Sequence, residues 1–353
     1  MSALVTVDRA RWLGHRWHRH GLDGDVGVEL DDLLLLGFQD SRGGGAAQSI
    51  AARTGRSGVG HTITVNGPLV SMWSVRGAPH VHRIEDLDLV RDALAPAPTD
   101  EGGSAYVDAV GAVAAALSAV VTGPTPKSTA SHEMRTRVPS LVQWCASCTV
   151  EHVPDGLFRA AGRQAQLVLG PEPQRATMLH PPPDHPGHTV GDPRRALLEA
   201  YLRVNGPTTR TLYRDWVGCS TETVTELWRG LQVVRVTVDG RRTDLTEALL
   251  DELGTAPLAE GVVLVPPHDP YLRQVDRTLL VPDSARRREV WRSLSPPGAL
   301  LVDGEVAGTW RYRRGDSQLT LTPFASLSRA RRSAAEESAR RITGGGEPTL
   351  TWT

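Results

Sequence analysis

Hydrophobic and polar residues along this chain alternate between helical and strand periods, and one succession of the two comes up repeatedly. Residues 7–20 have helical spacing, and the turn sequence GLDGD separates them from a second apolar run at 28–38. A glycine-rich loop, QDSRGGG, leads into a short Ala-rich helix at 46–53. Residues 63–76 alternate about Asn66-Gly67-Pro68, which predicts a hairpin. A helix over 84–94 and the linker APAPTDEGG close the stretch.

The second round begins with an Ala-rich helix at 106–121, stopped by Thr122-Gly123-Pro124. A helix at 128–137 follows, with Glu133 and Arg137 four apart as a favourable pair. A short element at 139–144 and a segment at 157–169 that runs into extended structure precede Gly170-Pro171. The segment ATMLHPPPDHPGHTVGD is too rich in Pro for regular structure and reads as a linker. The third round is the cleanest. A helix at 193–204 has Pro in its first turn, Asn205-Gly206-Pro207 stops it, and a helix at 208–217 follows. Ser220 or Thr221 caps a third helix at 221–231, and strands at 233–238 and 242–245 meet across Asp239-Gly240, a type I′ turn dipeptide. Three helices followed by a hairpin is the order of a winged helix-turn-helix; the edge of a three-helix bundle carrying a hairpin is the plainer alternative. Past Gly261 strands and turns dominate, with Asp303-Gly304 and Gly315-Asp316 as hairpin turns, a helix at 328–342 and a last strand at 349–352. The expected fold is α+β, with three tandem winged helix-turn-helix motifs at 1–97, 104–172 and 190–255. A C-terminal β-barrel-like or sheet element with a closing helix is expected at 260–353.

Composition narrows the function classes. Hydrophobic residues at 40% and charged residues at 22% of the 353 suffice for real cores and exclude wholesale disorder. The net charge of −1 gives no global basic field, so a nucleic acid would have to be held by a local patch. Lys127 is the single lysine among 39 basic residues; codon bias is the main reading, although the planar Arg fork also suits phosphates. Three cysteines exclude a disulfide scaffold. The charged N-terminus lacks the apolar core of a signal peptide, and the apolar stretch at 105–121 falls short of the ~20 residues of a membrane span. A cytoplasmic monomer without a membrane partner is expected. No GxxxxGK[ST], GxGxxG or HExxH motif is present, which weighs against nucleotide hydrolysis, dehydrogenase chemistry and zinc proteolysis.

Three clusters carry candidate chemistry. RGAPHVHR places Arg76, His80, His82 and Arg83 together, with both histidines on one strand face, an arrangement that suits an anionic substrate or two structural histidines. WCASCTVEHV offers Cys145, Cys148 and His152 with metal-like spacing; a tetrahedral zinc needs a fourth ligand, for which His132 and His180 are candidates. Two buried free cysteines are the alternative, and Cys219 reads as a core residue. The third cluster is Asp269, Tyr271, Arg273 and Arg277 with Trp310 and Arg311. Asp269 and Arg277 read there as a structural ion pair and Trp310 as core, whereas Arg311, Arg313 and Arg314 on a hairpin tip read as phosphate contacts. The arginine runs at 329–332 and 340–341 read as a solvated helix face.

LLLLGFQDSRGGGAAQSIAAR, LVSMWSVRGAPHVHR, the WRGL helix end and the block VLVPPHDPYLRQVDR…LLVPD…RRREVWRSL…PGALLVDGEVAGTWR carry a resemblance over nearly the whole chain. They resemble the winged-helix DNA glycosylases (AlkZ/YcaQ-like), many of which carry only the label of winged-helix DNA-binding proteins. The resemblance implies three winged helices curved round DNA. It also implies a monofunctional DNA glycosylase that removes N-alkylated purines, bulky adducts or crosslinks in DNA repair. The family's active-site motif is Gln-Φ-Gln or Gln-Φ-Asp, with Φ apolar. Gln39 matches its first place, but Asp40 stands in the apolar place and Ser41 in the third, so the motif departs from the pattern. On this resemblance Gln39, Asp40, Ser41 and His80 are the catalytic candidates. Arg42, Arg53, Arg76, His82, Arg83, Arg229, Arg235, Arg311, Arg313 and Arg314 are the candidate DNA contacts. An N7-alkylated purine is already cationic and leaves without a general acid, so an amide or carboxylate oxygen that steadies the sugar oxocarbenium and holds a water suffices, once the nucleotide is flipped out. Helix capping is the structural reading of Asp40 and Ser41. The expected partner is damaged double-stranded DNA, and no cofactor is required; Cys145, Cys148 and His152 are candidate ligands of a structural zinc. The alternative function is a non-catalytic DNA-binding regulator or damage sensor, with the helix at 221–231 in the major groove and Arg229 and Arg235 beside it.

Overall fold

The computed structural model describes residues 5–24, 30–40, 44–56, 58–170, 177–187, 190–344 and 346–353. Ser41 and Arg42 lie outside the described residues. Three buried cores organise the molecule. The helix Arg9–Arg19 is capped by the Asp8 carboxylate, which accepts from the Arg11 N–H, and it buries Trp12, Leu13 and Trp17. Read above as the opening of the first unit, this helix packs instead in the core of the C-terminal sheet. The strand Val5–Val7 likewise pairs, in parallel, with Val233–Val238 of the third hairpin.

A second core gathers Asp31–Leu36, Gly45–Thr54 and Leu87–Ala93 with the helices Pro193–Asn205, Arg210–Val217 and Thr221–Arg229. The last three follow the sequence reading closely. Thr209 and Ser220 cap the second and third of them, and the hairpin Val233–Val238/Arg241–Thr246 turns on Asp239 at φ 46° and Gly240 at φ 77°. The expected hairpin at 63–76 is corrected: Leu69–Trp73 pairs with Pro79–Arg83 around the turn at 74–78, and Asn66-Gly67-Pro68 lies ahead of it. The strand therefore starts where the Asn-Gly-Pro turn ends.

The third core joins Gly103–Val120 to Lys127–Arg137 and Asp155–Gln164. At 18 residues the first is longer than its sequence suggested and apolar enough to cross a membrane by length and composition, yet its Val110, Val113, Ala114 and Leu117 are buried within this core. One six-stranded sheet connects the two halves of residues 38–180. It runs in the order Phe38–Gln39, Pro79–Arg83, Leu69–Trp73, Val168–Gly170, Met178–His180, Thr125–Pro126. The C-terminal element is an open five-stranded sheet rather than a barrel, made of Val262–Val265, Gly298–Val302, Glu305–Arg313, Gln318–Pro323 and Thr349–Trp352. The helix Arg329–Ile342 covers it with Ala335, Ala339 and Ile342, and its Ser338 hydroxyl oxygen accepts from the Leu264 N–H.

Candidate active site

Gly37 sets the site. It ends the helix Asp31–Leu36 at φ 85°, and a Cβ there would lie 2.4 Å from the His82 ring, so only glycine lets the chain turn against the histidines. The next two residues form a short strand in which Gln39 pairs with His80 and Phe38 with Val81. Directly opposed residues share a face, so Gln39 and His80 stand side by side while Phe38 is buried in the core. Both line a cavity of about 580 Å³. Asp40, whose N–H donates to the Pro79 carbonyl, does not line it.

His80 is held neutral. Burial, the neighbouring His82 and the positive charges of Arg76 and Arg273 lower its pKa to about 3 against one opposing hydrogen bond. That bond runs from Nδ1 to the Ala78 carbonyl at 2.9 Å. A carbonyl only accepts, so Nδ1 carries the proton and Nε2 keeps a lone pair. His82 shares its strand face but lies fully buried, with Nδ1 bonded to the Leu34 carbonyl at 3.0 Å. It is a core residue and not a DNA contact, because Gly37 leaves room for the ring under the turn. Arg83 is likewise committed, at 2.7 Å to both Asp86 and Asp31.

The opposite wall of the cavity comes from the start of the helix Arg210–Val217 and from the stretch 268–278. Arg273 and Arg277 line it together with Arg76, and their proximity shows in their acid–base behaviour. Burial and the charges of Arg76 and Arg277 lower Arg273 to about 10, and burial and Arg76 lower Arg277 as well. None of the three guanidinium groups has a carboxylate partner among the described residues, although Arg277 stacks over Trp291 at 5.1 Å. His268 joins them in a left-handed conformation at φ 69°, with a buried Nδ1 that finds no hydrogen bond. The sequence reading quoted Arg273 and Arg277 without assigning them to the site and passed over His268. The signal was the crowding of cationic groups into HDPYLRQVDR, where Asp269 seemed to neutralise Arg277.

Asp269 serves Arg53 instead. The two are fully buried and joined by two bonds, Nη1–Oδ2 at 2.8 Å and Nη2–Oδ1 at 2.9 Å, while Arg53 also donates to the carbonyls of His20 and Ser49. Arg53 therefore cannot reach DNA. It locks the helix after the Gln39 segment to the arginine-bearing stretch, where Asp269 also caps Tyr271. Buried Arg16 donates to the Tyr271 carbonyl at 2.8 Å, Asn205 to Gln274 at 2.6 Å, and the Trp291 indole to Leu272 at 3.0 Å. Polar contacts therefore hold the stretch at several points, and Asp276, which also lines the cavity, pairs with Arg241 and caps Thr278 and Leu279, so the arginines of the cavity are left free of that task. Trp310 is core as expected, donating to the Val265 carbonyl.

The other expected contacts lie elsewhere. Arg76 also borders a neighbouring cavity of about 710 Å³ that includes Arg159, Arg163 and Arg194. Arg229 is exposed at the end of its helix, and Arg235 is bonded to Asp244 at 2.9 Å. Arg311 donates to the Ser295 carbonyl and Arg313 pairs with Asp316. Arg314 approaches the glycine loop closely enough that a Cβ on Gly44 would lie 3.3 Å from its Nη2. Cys145, Cys148 and His152 come together on a separate hairpin with their ligand atoms within 4.8 Å of one another.

The family model described as "DNA glycosylase AlkZ-like" matches residues 31–344. No curated protein matches this sequence. The fold is similar to that of a solved structure, the Streptomyces sahachiroi DNA glycosylase AlkZ, with a TM-score of 0.74 at 16% identity; the similarity covers 99% of this chain and 100% of that one.

Proposed function

The chain belongs to the AlkZ-like DNA glycosylase family and is thus a DNA-repair hydrolase of the N-glycosidic bond, and from that premise we propose that it works in the cavity between Gln39 and Arg273. One observation carries the assignment: Gln39, neutral His80 and three arginines without carboxylate partners line a single cavity. Uncompensated guanidinium groups at a desolvated wall attract phosphate, so Arg76, Arg273 and Arg277 take the backbone flanking the damaged nucleotide. The Gln39 amide oxygen and the His80 Nε2 lone pair each accept a hydrogen bond from one water and hold it for attack on the anomeric carbon. His80 is too weak a base to carry a full proton away, which fits a leaving base that departs before the water is deprotonated. The substrate class is therefore a purine made cationic by N-alkylation, whose departure needs no general acid.

The three rounds of helices and hairpin are read as tandem winged helices, with the cavity where the first and the third meet the start of the C-terminal element. We read the enzyme as a cytoplasmic monomer that needs no cofactor for this chemistry and acts on damaged duplex DNA. The experiment is base release from a duplex containing N7-methylguanine, with alkaline cleavage of the abasic product. Wild type should cleave, and Gln39→Ala should lose on the order of 10²-fold in rate or more, the scale for one general-base or charge-stabilising group. Full activity in Gln39→Ala would overturn the site.

A further inference from the structure

The strands Gln143–Cys145 and Val150–His152 form a two-stranded hairpin of their own, apart from the other sheets. Its register pairs Gln143 with His152 and Cys145 with Val150, so Cys145 and His152 are diagonal neighbours on one face. Cys148 sits in the connecting turn, which closes through the Thr149 N–H to the Cys145 carbonyl at 2.8 Å with Thr149 at φ 55°. Free cysteines that serve packing are buried, but Cys148 is exposed and Cys145 only half-buried, so packing does not account for them. The His152 ring donates from Nδ1 to the Val153 carbonyl at 2.7 Å, which leaves Nε2 as the lone-pair nitrogen. That Nε2 is buried, and the ring interacts with the Cys145 thiol. A histidine fixed at one nitrogen by a backbone carbonyl, with two sulfurs beside its ring, is arranged as metal-bound histidines are.

We propose that Cys145, Cys148 and His152 are three ligands of a divalent metal site, with zinc the ion their chemistry fits. Two thiolates and an imidazole select a borderline-soft ion. In a tetrahedral site with bonds of about 2.3 Å the ligand atoms lie roughly 3.8 Å apart, so a spread within 4.8 Å closes by a small movement of an exposed turn. His132 lines the same cavity but stands outside the three-ligand cluster, so a water or His132 would take the fourth position. His180 belongs to the six-stranded sheet and is not part of this cavity. A two-stranded hairpin is marginal in water; this one leans on the helix Lys127–Arg137, whose Arg135 donates to the Glu151 carbonyl at 2.8 Å, and a metal would further tie its turn to its far strand. The ion is thus a clip on a projecting hairpin that displays Trp144, 64% exposed, on the opposite face.

The test is titration of the reduced full-length protein with cobalt(II) chloride, read by absorption. One equivalent should produce the strong visible bands of a tetrahedral ion and a thiolate-to-cobalt charge-transfer band. Both should persist in Cys219→Ser and vanish in Cys145→Ser/Cys148→Ser. His152→Ala should weaken binding by at least the roughly 10- to 100-fold that loss of an outer-shell partner costs. Far-UV circular dichroism checks that the variants fold; if the double variant does not, the wild-type charge-transfer band and the Cys219→Ser control decide. No charge-transfer band, a spectrum unchanged in the folded double variant, or a Cys145–Cys148 disulfide in place of binding would each overturn the site.

Discussion

Replacing Arg53 with Met removes one half of a fully buried ion pair while keeping most of the side-chain volume. Asp269 is then left with the N–H of Tyr271 and only the unbonded charge of nearby Arg16, in a place from which water is excluded. An uncompensated buried charge of this kind costs about 3–5 kcal/mol. At an unfolding entropy of about 2.1 cal/mol/K per residue, 353 residues give ~1.3 °C per kcal/mol, so the midpoint of thermal unfolding should fall by about 4–7 °C. The loss should be largely shared rather than additive. Asp269→Asn keeps a capping oxygen for Tyr271, and in the double variant neither group is left as a lone charge, so Arg53→Met/Asp269→Asn should recover about half or more of the Arg53→Met loss. The assay is urea unfolding of the four proteins of the cycle by circular dichroism, with base release measured well below the unfolding transition. Because the pair ties the helix after Gln39 to the stretch carrying Arg273 and Arg277, Arg53→Met should also lower the rate of base release while the protein is still folded. A loss below about 1 kcal/mol, or costs that simply add in the double variant, would refute the coupling and with it the view that the pair holds the two walls together.

Other outcomes follow from the same geometry. With its folded pKa at about 3, His80 stays neutral across the physiological range, so base release should show no histidine inflection between pH 5 and 8; an inflection near pH 6.5 that vanishes in His80→Gln would count against this role. Buried His15, His20, His80 and His82 all have folded pKa values lowered by burial from 6.5, to about 4, well below 6.5, about 3 and about 4. The unfolded chain therefore binds more protons below pH 6.5, and stability, fully present above it, should fall by up to roughly 1.4 kcal/mol per pH unit for each as pH drops toward 4. A flat unfolding free energy from pH 7 to 5 would contradict that. Arg273→Ala should flatten the dependence of log K on log salt by ~1 for duplex binding, and an unchanged slope would remove the phosphate contact. Gly37→Ala should cost more than about 1 kcal/mol, from its positive φ and the His82 clash together, in denaturant titration.

Local signals carried most of the fold. Ser220, one of the two caps expected there, caps the helix Thr221–Arg229, and Asp239-Gly240 turns the hairpin it announced, because these features depend on neighbours in sequence. The site was half legible. Gln39 and His80 came from a motif and an alternating strand, and strand pairing brought them together. The other half depended on partners more than 200 residues away. Asp269 stands eight residues from Arg277, yet it is taken by Arg53 from the other end of the chain, which leaves Arg277 uncompensated and facing the cavity. The hairpin at Gln143–His152 was hidden because strands of three residues are too short for alternation to register.

The earliest residues of this chain complete a core whose other walls come last. Trp12, Leu13 and Trp17 pack among strands between Val262 and Trp352, and Val5–Val7 pairs with a strand more than 220 residues on. During synthesis, which proceeds from the N-terminus at ~5–20 residues per second, those tryptophans wait without these partners until the strands past residue 260 have been made. Ribosomal products cut short before residue 260 would present the Trp12, Leu13 and Trp17 face of that helix to chaperones and proteases. They would also lack both His268 and Arg273, so a partial chain is marked for removal by the same missing segment that leaves it without a finished base-excision site.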